Sequence, residues 1–286
     1  MEILDGKVYA AAIKAEAKAK ADEVKAKHKV TPGLAVVIVG SDPASKVYVA
    51  SKAKACGELG LYSREIALPE ETDEGEILKI IDELNRDEKI HGILVQLPLP
   101  KHLAEAEQRI LTRIDPKKDV DGFHPVNMGK LVLGEPALTP CTPTGCIKML
   151  KFAKIPIEGK RAVIIGRSNI VGKPMLHLLL RENATVTVCH SRTQNLGEIA
   201  READILVAAV GKPHFVTADM VKPGATVIDV GINRLAPKKL TGDVDFESVK
   251  EIAGAITPVP GGVGLLTVAT LMANVVEAAA TIAASK

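Results

Sequence analysis

A tyrosine and a lysine stand one helical turn apart in the segment Gly40-Ser-Asp-Pro-Ala-Ser-Lys-Val-Tyr48-Val-Ala-Ser-Lys52. A lysine taken out of water has its pKa lowered toward neutrality and can then act as a general base. Tyr48 can stack on a flat substrate or donate its hydroxyl. On a helix that opens near Pro43, Ser45, Tyr48 and Lys52 fall at i, i+3 and i+7 and share one face. Taken alone, the pair fits a surface lysine beside a half-buried tyrosine at least as well. Gln96 and the aspartates Asp119 and Asp121 shift the balance. Gln96 interrupts the apolar run Ile93–Leu97, where a buried side chain without a partner costs about 1–3 kcal/mol. It ends its run at the same edge as Ser41 and Asp42, although a Gln on the exposed face of a short edge strand is also possible. Asp119 and Asp121 lie in a glycine-containing loop. A carboxylate there can grip the amino-amidine edge of a heterocycle, or it can simply cap a turn.

The elements that must position these groups follow from periodicity. Residues 7–28 read as an amphipathic helix with apolar positions Val8, Ala11, Ala12, Ala15 and Ala19. The unbroken apolar run Leu34–Val39 predicts a strand covered on both faces. Asp42 offers an N-cap, Pro43 a first helical position, and Gly57 or Gly60 a stop. A helix near 74–86 and a strand from Gly92 repeat the unit, the sign of a parallel α/β lobe. From Asp115 to about Gly145 the chain is punctuated by Pro and Gly and reads as a long connection.

A second α/β series follows: strand 161–166, helix 172–182, strands 184–189, 204–210 and 225–230, and an Ala-rich helix 267–284. Gly166 and Gly172 bracket a turn between strand and helix in which a helix N-terminus can hold a pyrophosphate. The spacing departs from Gly-x-Gly-x-x-Gly, so an ordinary strand-to-helix loop is the alternative. The next strand ends in Val188-Cys-His-Ser-Arg192, without the carboxylate that holds the ribose of NAD. Ser191 and Arg192, with Arg167 from the first turn, can instead meet a 2′-phosphate, unless they are solvated surface residues. Gly211 and the Gly231-Ile232-Asn233 turn end further strands, where ligands bind in open parallel sheets. A Tyr-x-x-x-Lys pair ordinarily suggests a short-chain dehydrogenase, in which it follows the nucleotide fold and sits inside it. Here it precedes the only plausible nucleotide turn by more than a hundred residues, so it belongs to a different lobe.

At 286 residues, 47% hydrophobic and 25% charged, the chain can fill two ordinary domains and is not expected to be disordered. Its net charge of +2 gives no reason to expect a nucleic-acid or membrane partner. The N-terminus lacks a signal-peptide layout, and no uninterrupted apolar stretch is long enough to span a bilayer. Cys56, Cys141, Cys146 and Cys189 are scattered with no Cys-x-x-Cys pair, which favours buried reduced thiols over a zinc or disulfide role. Together these features predict a soluble, cytoplasmic protein with no metal site.

Seven segments together resemble the bifunctional methylenetetrahydrofolate dehydrogenase/cyclohydrolase family. They are Tyr48–Lys52, Gln96-Leu-Pro-Leu-Pro100, Lys118-Asp-Val-Asp-Gly-Phe123, Pro140-Cys-Thr-Pro-Thr-Gly145, Gly166-Arg-Ser-Asn-Ile-Val-Gly-Lys-Pro174, Gly231-Ile-Asn233 and Thr257-Pro-Val-Pro-Gly-Gly-Val-Gly264. They run in family order over nearly the whole chain. The resemblance implies an α/β protein of two lobes with the active-site cleft between them. A folate-binding catalytic lobe would comprise residues 1–139 plus 267–286, and an NADP-binding Rossmann lobe residues 140–266. The implied reactions are NADP-dependent oxidation of 5,10-methylenetetrahydrofolate and hydrolysis of the product to 10-formyltetrahydrofolate, in one-carbon metabolism that feeds purine biosynthesis. The alternatives are a member with one activity lost and a non-catalytic dinucleotide-binding protein, which would have no reason to keep Lys52, Gln96 and Asp121 together. Catalysis would rest on Lys52, with Gln96 orienting it, Tyr48 stacking on the folate and Asp121 gripping the pterin. Pro260, Gly261 and Gly262 would let backbone approach the substrate. Gly166, Arg167, Ser168, Ser191, Arg192, Gly211, Gly231, Ile232 and Thr267 would bind the cofactor. A homodimer joined through the Rossmann lobes is also implied. One departure is visible: Leu265-Leu266 replaces the Pro-Met that usually precedes Thr267 in the family.

Overall fold

The computed structural model describes residues 1–236 and 239–285. The chain forms two compact units, Ile13–Cys141 with Val268–Lys286, and Met1–Ala12 with Thr142–Thr267. In chain order the first elements are β1 (Glu2–Ile3), α1 (Gly6–His28), β2 (Gly33–Val39), α2 (Pro43–Leu59), β3 (Tyr62–Leu68), α3 (Glu74–Arg86), β4 (Gly92–Val95), α4 (Glu107–Leu111), α5 (Pro125–Leu133) and α6 (Cys141–Phe152).

The unit built on β2 has a parallel sheet in the order β3-β2-β4. All seven residues of β2 are buried, as its apolar run requires of a central parallel strand. The Asp42 side chain caps α2 by accepting the Ser45 N–H at 2.7 Å, and Gly60 closes the helix in the left-handed conformation. Strand β3 was not foreseen. Its polar sequence Tyr62-Ser-Arg-Glu-Ile-Ala-Leu68 leaves it partly exposed, and pairing with β2 overrides weak local preference.

The long Pro- and Gly-rich connection is more ordered than its composition suggests. Ile93 N–H donates to the Lys118 carbonyl at 2.8 Å, and Ile93 bridges Asp119 in parallel, so residues 118–120 flank β4. Further along, the His124 side chain caps α5, Pro125 opens it and a left-handed Gly134 closes it.

The second unit comprises β5 (Arg161–Ile165), α7 (Gly172–Arg181), β6 (Thr185–Cys189), α8 (Leu196–Arg201), β7 (Ile205–Ala208), β8 (Thr226–Asp229), β9 (Asn233–Ala236), β10 (Lys239–Thr241), α9 (Phe246–Val249) and β11 (Ala255–Ile256), and α10 (Val263–Ala284) follows. A six-stranded parallel sheet runs β1-β11-β8-β7-β5-β6, and β9 and β10 form a separate antiparallel pair. The strand order reverses at β5 and β7, the position at which open parallel sheets hold ligands. Residues 1–12 were expected in the other lobe. They belong here because β1 pairs with β11, with Glu2 N–H donating to Gly254 O and Leu4 N–H to Ile256 O, both at 2.8 Å.

Helix α10 starts four residues earlier than its Ala-rich core suggests. Its 22 residues, with a mean hydropathy of 1.7, pass the length and composition test for crossing a membrane, a test that a mostly buried core helix also passes. Within the protein, Leu271, Met272, Val275 and Val276 are buried in a core shared with Leu34, Val36 and Ile38 of β2.

Gly92 sits against that core with no room for a side chain. A Cβ there would lie 2.6 Å from Val120 Cγ1 and 3.1 Å from Val275 Cγ2. Gly92→Ala should therefore destabilise the protein by about 1–3 kcal/mol through overpacking, measured by denaturant unfolding. A variant as stable as the wild type would show that Val120 and Val275 have room to yield.

Candidate functional site

Parallel pairing brings the carboxyl ends of β2 and β4 to one edge, and the lysine site is assembled there. Val37 is in register with Val95, and the Gln96 N–H extends the ladder by donating to the Val37 carbonyl at 2.8 Å. Helix α2 leaves the same end of β2 and carries Lys52. The Lys52 Nζ donates to Gln96 Oε1 at 2.6 Å, while Gln96 Nε2 donates to the Leu97 carbonyl at 2.7 Å. Both amide groups of Gln96 are thus engaged, which fixes the oxygen toward the amine. Gln96 is half-buried with a defined partner rather than free on an open edge.

The three α2 residues expected on one face differ in environment. Ser45 is buried, Lys52 is half-buried and Tyr48 is 46% exposed. Tyr48 therefore presents a ring that a planar ligand can cover. Burial pulls the Lys52 amine below its ordinary range, and the Asp121 carboxylate and Cys141 thiol partly oppose this. A lowered pKa raises the fraction of neutral amine available to accept a proton.

The two aspartates of the following segment differ in what occupies their oxygens. Asp119 is buried and accepts the Gly122 N–H at 3.1 Å, the His124 N–H at 2.8 Å and Asn127 Nδ2 at 3.0 Å. Its oxygens are occupied in holding the turn. Asp121 keeps some exposure, and among the described residues no hydrogen bond holds its carboxylate. Burial dominates its titration and pushes it up to about 6, with Asp119 adding to the rise and the Lys52 charge opposing it.

Sequence reading missed what holds this segment in place. Asn274 of α10 donates through Nδ2 to the Val120 carbonyl at 2.8 Å and to the Thr139 carbonyl at 2.9 Å. The Cys141 thiol donates to the same Val120 carbonyl at 3.3 Å. Gly122, at φ +75°, lets the two stretches touch, since a Cβ there would lie 2.5 Å from the Thr139 carbonyl carbon. A polar Asn midway along a mostly apolar helix was the signal that could have found it.

In the other unit, Gly166 ends β5 at φ +130°, where a Cβ would come within 2.2 Å of the Ala209 carbonyl oxygen. Gly172 opens α7, and a Cβ there would meet the Gly166 oxygen at 2.2 Å. The turn is therefore close-packed backbone beside a helix N-terminus, the form a phosphate cradle takes. Ser168 Oγ accepts the Val171 N–H at 3.1 Å, so this residue shapes the turn. Arg167, Ser191 and Arg192 are all exposed, the last two in a turn closed by Thr193 N–H donating to the His190 carbonyl at 2.9 Å. Gly211 follows β7 at φ +67°, Gly231 is buried after β8, and Ile232 is exposed. The Thr267 hydroxyl lies 2.8 Å from that of Thr142. Pro260, Gly261 and Gly262 lie between β11 and α10, and the Gly6 N–H donates to the Gly261 carbonyl at 2.8 Å. Of the two leucines that depart from the family pattern, Leu266 is fully buried and Leu265 is 40% exposed.

The raised Asp121 carboxyl has a measurable consequence. An unfolded chain loses this proton near about 3.9. Between there and about pH 6 the folded protein keeps a proton that the unfolded chain has released. Stability therefore falls across that window as pH rises, and the full cost is present above it. Asp121→Asn should melt above the wild type at about pH 8, with the gap shrinking toward about pH 4. Thermal scans at the two pH values test this, and a gap independent of pH would disprove it.

The chain is similar to known proteins over nearly its whole length. Residues 4–121 match the catalytic domain of tetrahydrofolate dehydrogenase/cyclohydrolase, and residues 140–283 match its NAD(P)-binding domain. The bifunctional protein FolD of Acetivibrio thermocellus is 58% identical over 97% of this chain and 96% of its own. A crystal structure of the bifunctional FolD methylenetetrahydrofolate dehydrogenase/cyclohydrolase from Campylobacter jejuni superposes with a TM-score of 0.94 at 50% identity, covering 99% of both chains. The Trypanosoma brucei enzyme, solved with NADP cofactor and an inhibitor, superposes at 0.92 with 36% identity, covering 99% of this chain and 98% of its own. The chain belongs to the tetrahydrofolate dehydrogenase/cyclohydrolase family.

Proposed function

We propose that this protein oxidises 5,10-methylenetetrahydrofolate with NADP and hydrolyses the resulting 5,10-methenyltetrahydrofolate to 10-formyltetrahydrofolate. The observation that carries the reading is the half-buried Lys52 amine, held 2.6 Å from Gln96 Oε1, in a chain of this family. The cofactor accepts the hydride when bound. The turn of Gly166 and Gly172 fits its pyrophosphate, because backbone packs there at distances that no side chain permits. The cation left by hydride loss is stabilised by its two flanking nitrogens, so the first step needs positioning above all. Tyr48 offers its ring and Asp121 its unsatisfied carboxylate for that purpose.

Hydrolysis needs a proton moved. Water adds to the methenyl carbon and Lys52 takes one proton from the attacking oxygen. The protonated lysine then gives that proton to the ring nitrogen as the carbon–nitrogen bond breaks, and the remaining hydroxyl proton leaves to solvent as the formyl carbonyl forms. Gln96 keeps the amine aimed, and burial lowers its pKa, which favours the neutral form that accepts the proton. Family membership also supports a homodimer located in the cytoplasm, with 10-formyltetrahydrofolate supplied to purine biosynthesis.

Mixing the protein with methylenetetrahydrofolate and NADP⁺ and following reduced cofactor tests the first step, and decay of methenyltetrahydrofolate alone tests the second. Lys52→Met keeps length and packing but cannot carry a proton, so cyclohydrolase activity should vanish while the fold survives. A folded variant with near wild-type hydrolysis would remove Lys52 from the mechanism. NADP should be preferred over NAD by about tenfold or more, since one charge-assisted hydrogen bond to a 2′-phosphate contributes about 1.5–3 kcal/mol. Arg167→Ala should narrow the ratio of kcat/KM values, and a wild type that prefers NAD refutes the assignment.

A further inference from the structure

Asp243 is fully buried, yet no cation faces it among the contacts of the described residues. Its carboxylate instead accepts four N–H groups. Oδ2 takes the Val210 and Gly211 amides at 2.6 and 2.9 Å, and Oδ1 takes the Lys212 amide and Asn233 Nδ2, both at 2.9 Å. A second buried aspartate, Asp229 at the end of β8, supports it by accepting the N–H groups of Gly231, Asp243 and Val244, each at 2.9 Å. The packing leaves no slack. A Cβ on Gly231 would lie 2.2 Å from Asp243 Oδ1, and one on Gly242 would lie 1.8 Å from Asp229 Oδ2. The loop after β7 and the turn after β8 are thereby tied to one anion, at the carboxyl ends of strands where a parallel sheet binds its ligand.

We infer that Asp243 is a positioning residue for the dinucleotide, shaping the 210–212 loop and the 231–233 turn into a cofactor-binding surface without touching the cofactor itself. The inference rests on the reading of this unit as the NADP site. A carboxylate suits the task because it presents acceptor lone pairs alone, and four donors converge on it. An asparagine of the same shape keeps one oxygen and turns an NH₂ group toward two N–H donors.

Because the two activities differ in their need for cofactor, the protein contains its own control. In Asp243→Asn, calorimetry should show NADP affinity lowered about tenfold, and the KM for NADP should rise more than kcat falls. Hydrolysis of methenyltetrahydrofolate without cofactor should be nearly unchanged. In the protein without nucleotide, amide exchange at Val210, Gly211 and Lys212 should quicken, while Gly231 and Val244, held by Asp229, keep their protection. Unchanged NADP affinity in the folded variant overturns the inference, as does equal loss of both activities, which marks a general structural role. If Asp243→Asn does not fold, Asn233→Ala removes one donor and leaves the carboxylate. It should loosen the same three amides and weaken NADP to a lesser degree, and no change in either overturns the inference. A wild type that binds no NADP sinks the cofactor reading and this inference together, whereas binding by wild type and variant alike sinks the inference alone.

Discussion

Parallel strand pairing is the constraint on which the lysine site depends. In a parallel ladder all carboxyl ends point one way, so the residues that follow β2 and β4 must emerge side by side. The Val37–Val95 register and the Gln96 amide bond to Val37 then set where the Gln96 side chain leaves the sheet. Helix α2, capped by Asp42 at the end of β2, sets where Lys52 arrives. Their 2.6 Å hydrogen bond joins residues 44 positions apart in sequence. A slip of one residue would turn Gln96 to the opposite face and leave the amine without its acceptor.

Desolvation gives that geometry its chemistry. The same burial lowers the Lys52 amine and raises the Asp121 carboxyl, so both groups are drawn toward neutrality, while their mutual attraction opposes both shifts. Asp119, two residues away, shows the alternative: it spends its oxygens on three local donors and serves the turn. Two aspartates of one motif thus part according to whether backbone and side-chain N–H groups reach them.

The nucleotide unit uses buried anions as organisers. Asp229 and Asp243 gather backbone amides from the loop after β7, the turn after β8 and the stretch after β10, and the glycines beside them are required because the carboxylates leave no room for a Cβ. The cost of burying charge is offset by the number of donors each receives.

Most of the regular elements were legible in the sequence because their signals are local: the apolar run of β2, the Asp42-Pro43 start of α2, and the Gly166 and Gly172 turn ahead of α7. Lys52, Gln96 and Asp121 were legible as candidates because each residue type is unusual where it stands and each lies in a motif that resembles the family's. Strand β3 and helix α5 were not legible, since pairing with β2 and side-chain capping by His124 outweigh weak local preferences. Nor was the place of residues 1–12, which depends on a pairing with β11 some 250 residues away. Residue type and short-range periodicity thus determined which groups are capable of chemistry and which elements carry them. Only the tertiary structure decided which aspartate keeps its carboxylate unsatisfied, that Asn274 holds the Asp121 segment, and that Asp243 gathers the β7 and β8 loops. Those outcomes depend on which donors and acceptors meet across long sequence separations, and no local pattern encodes such meetings.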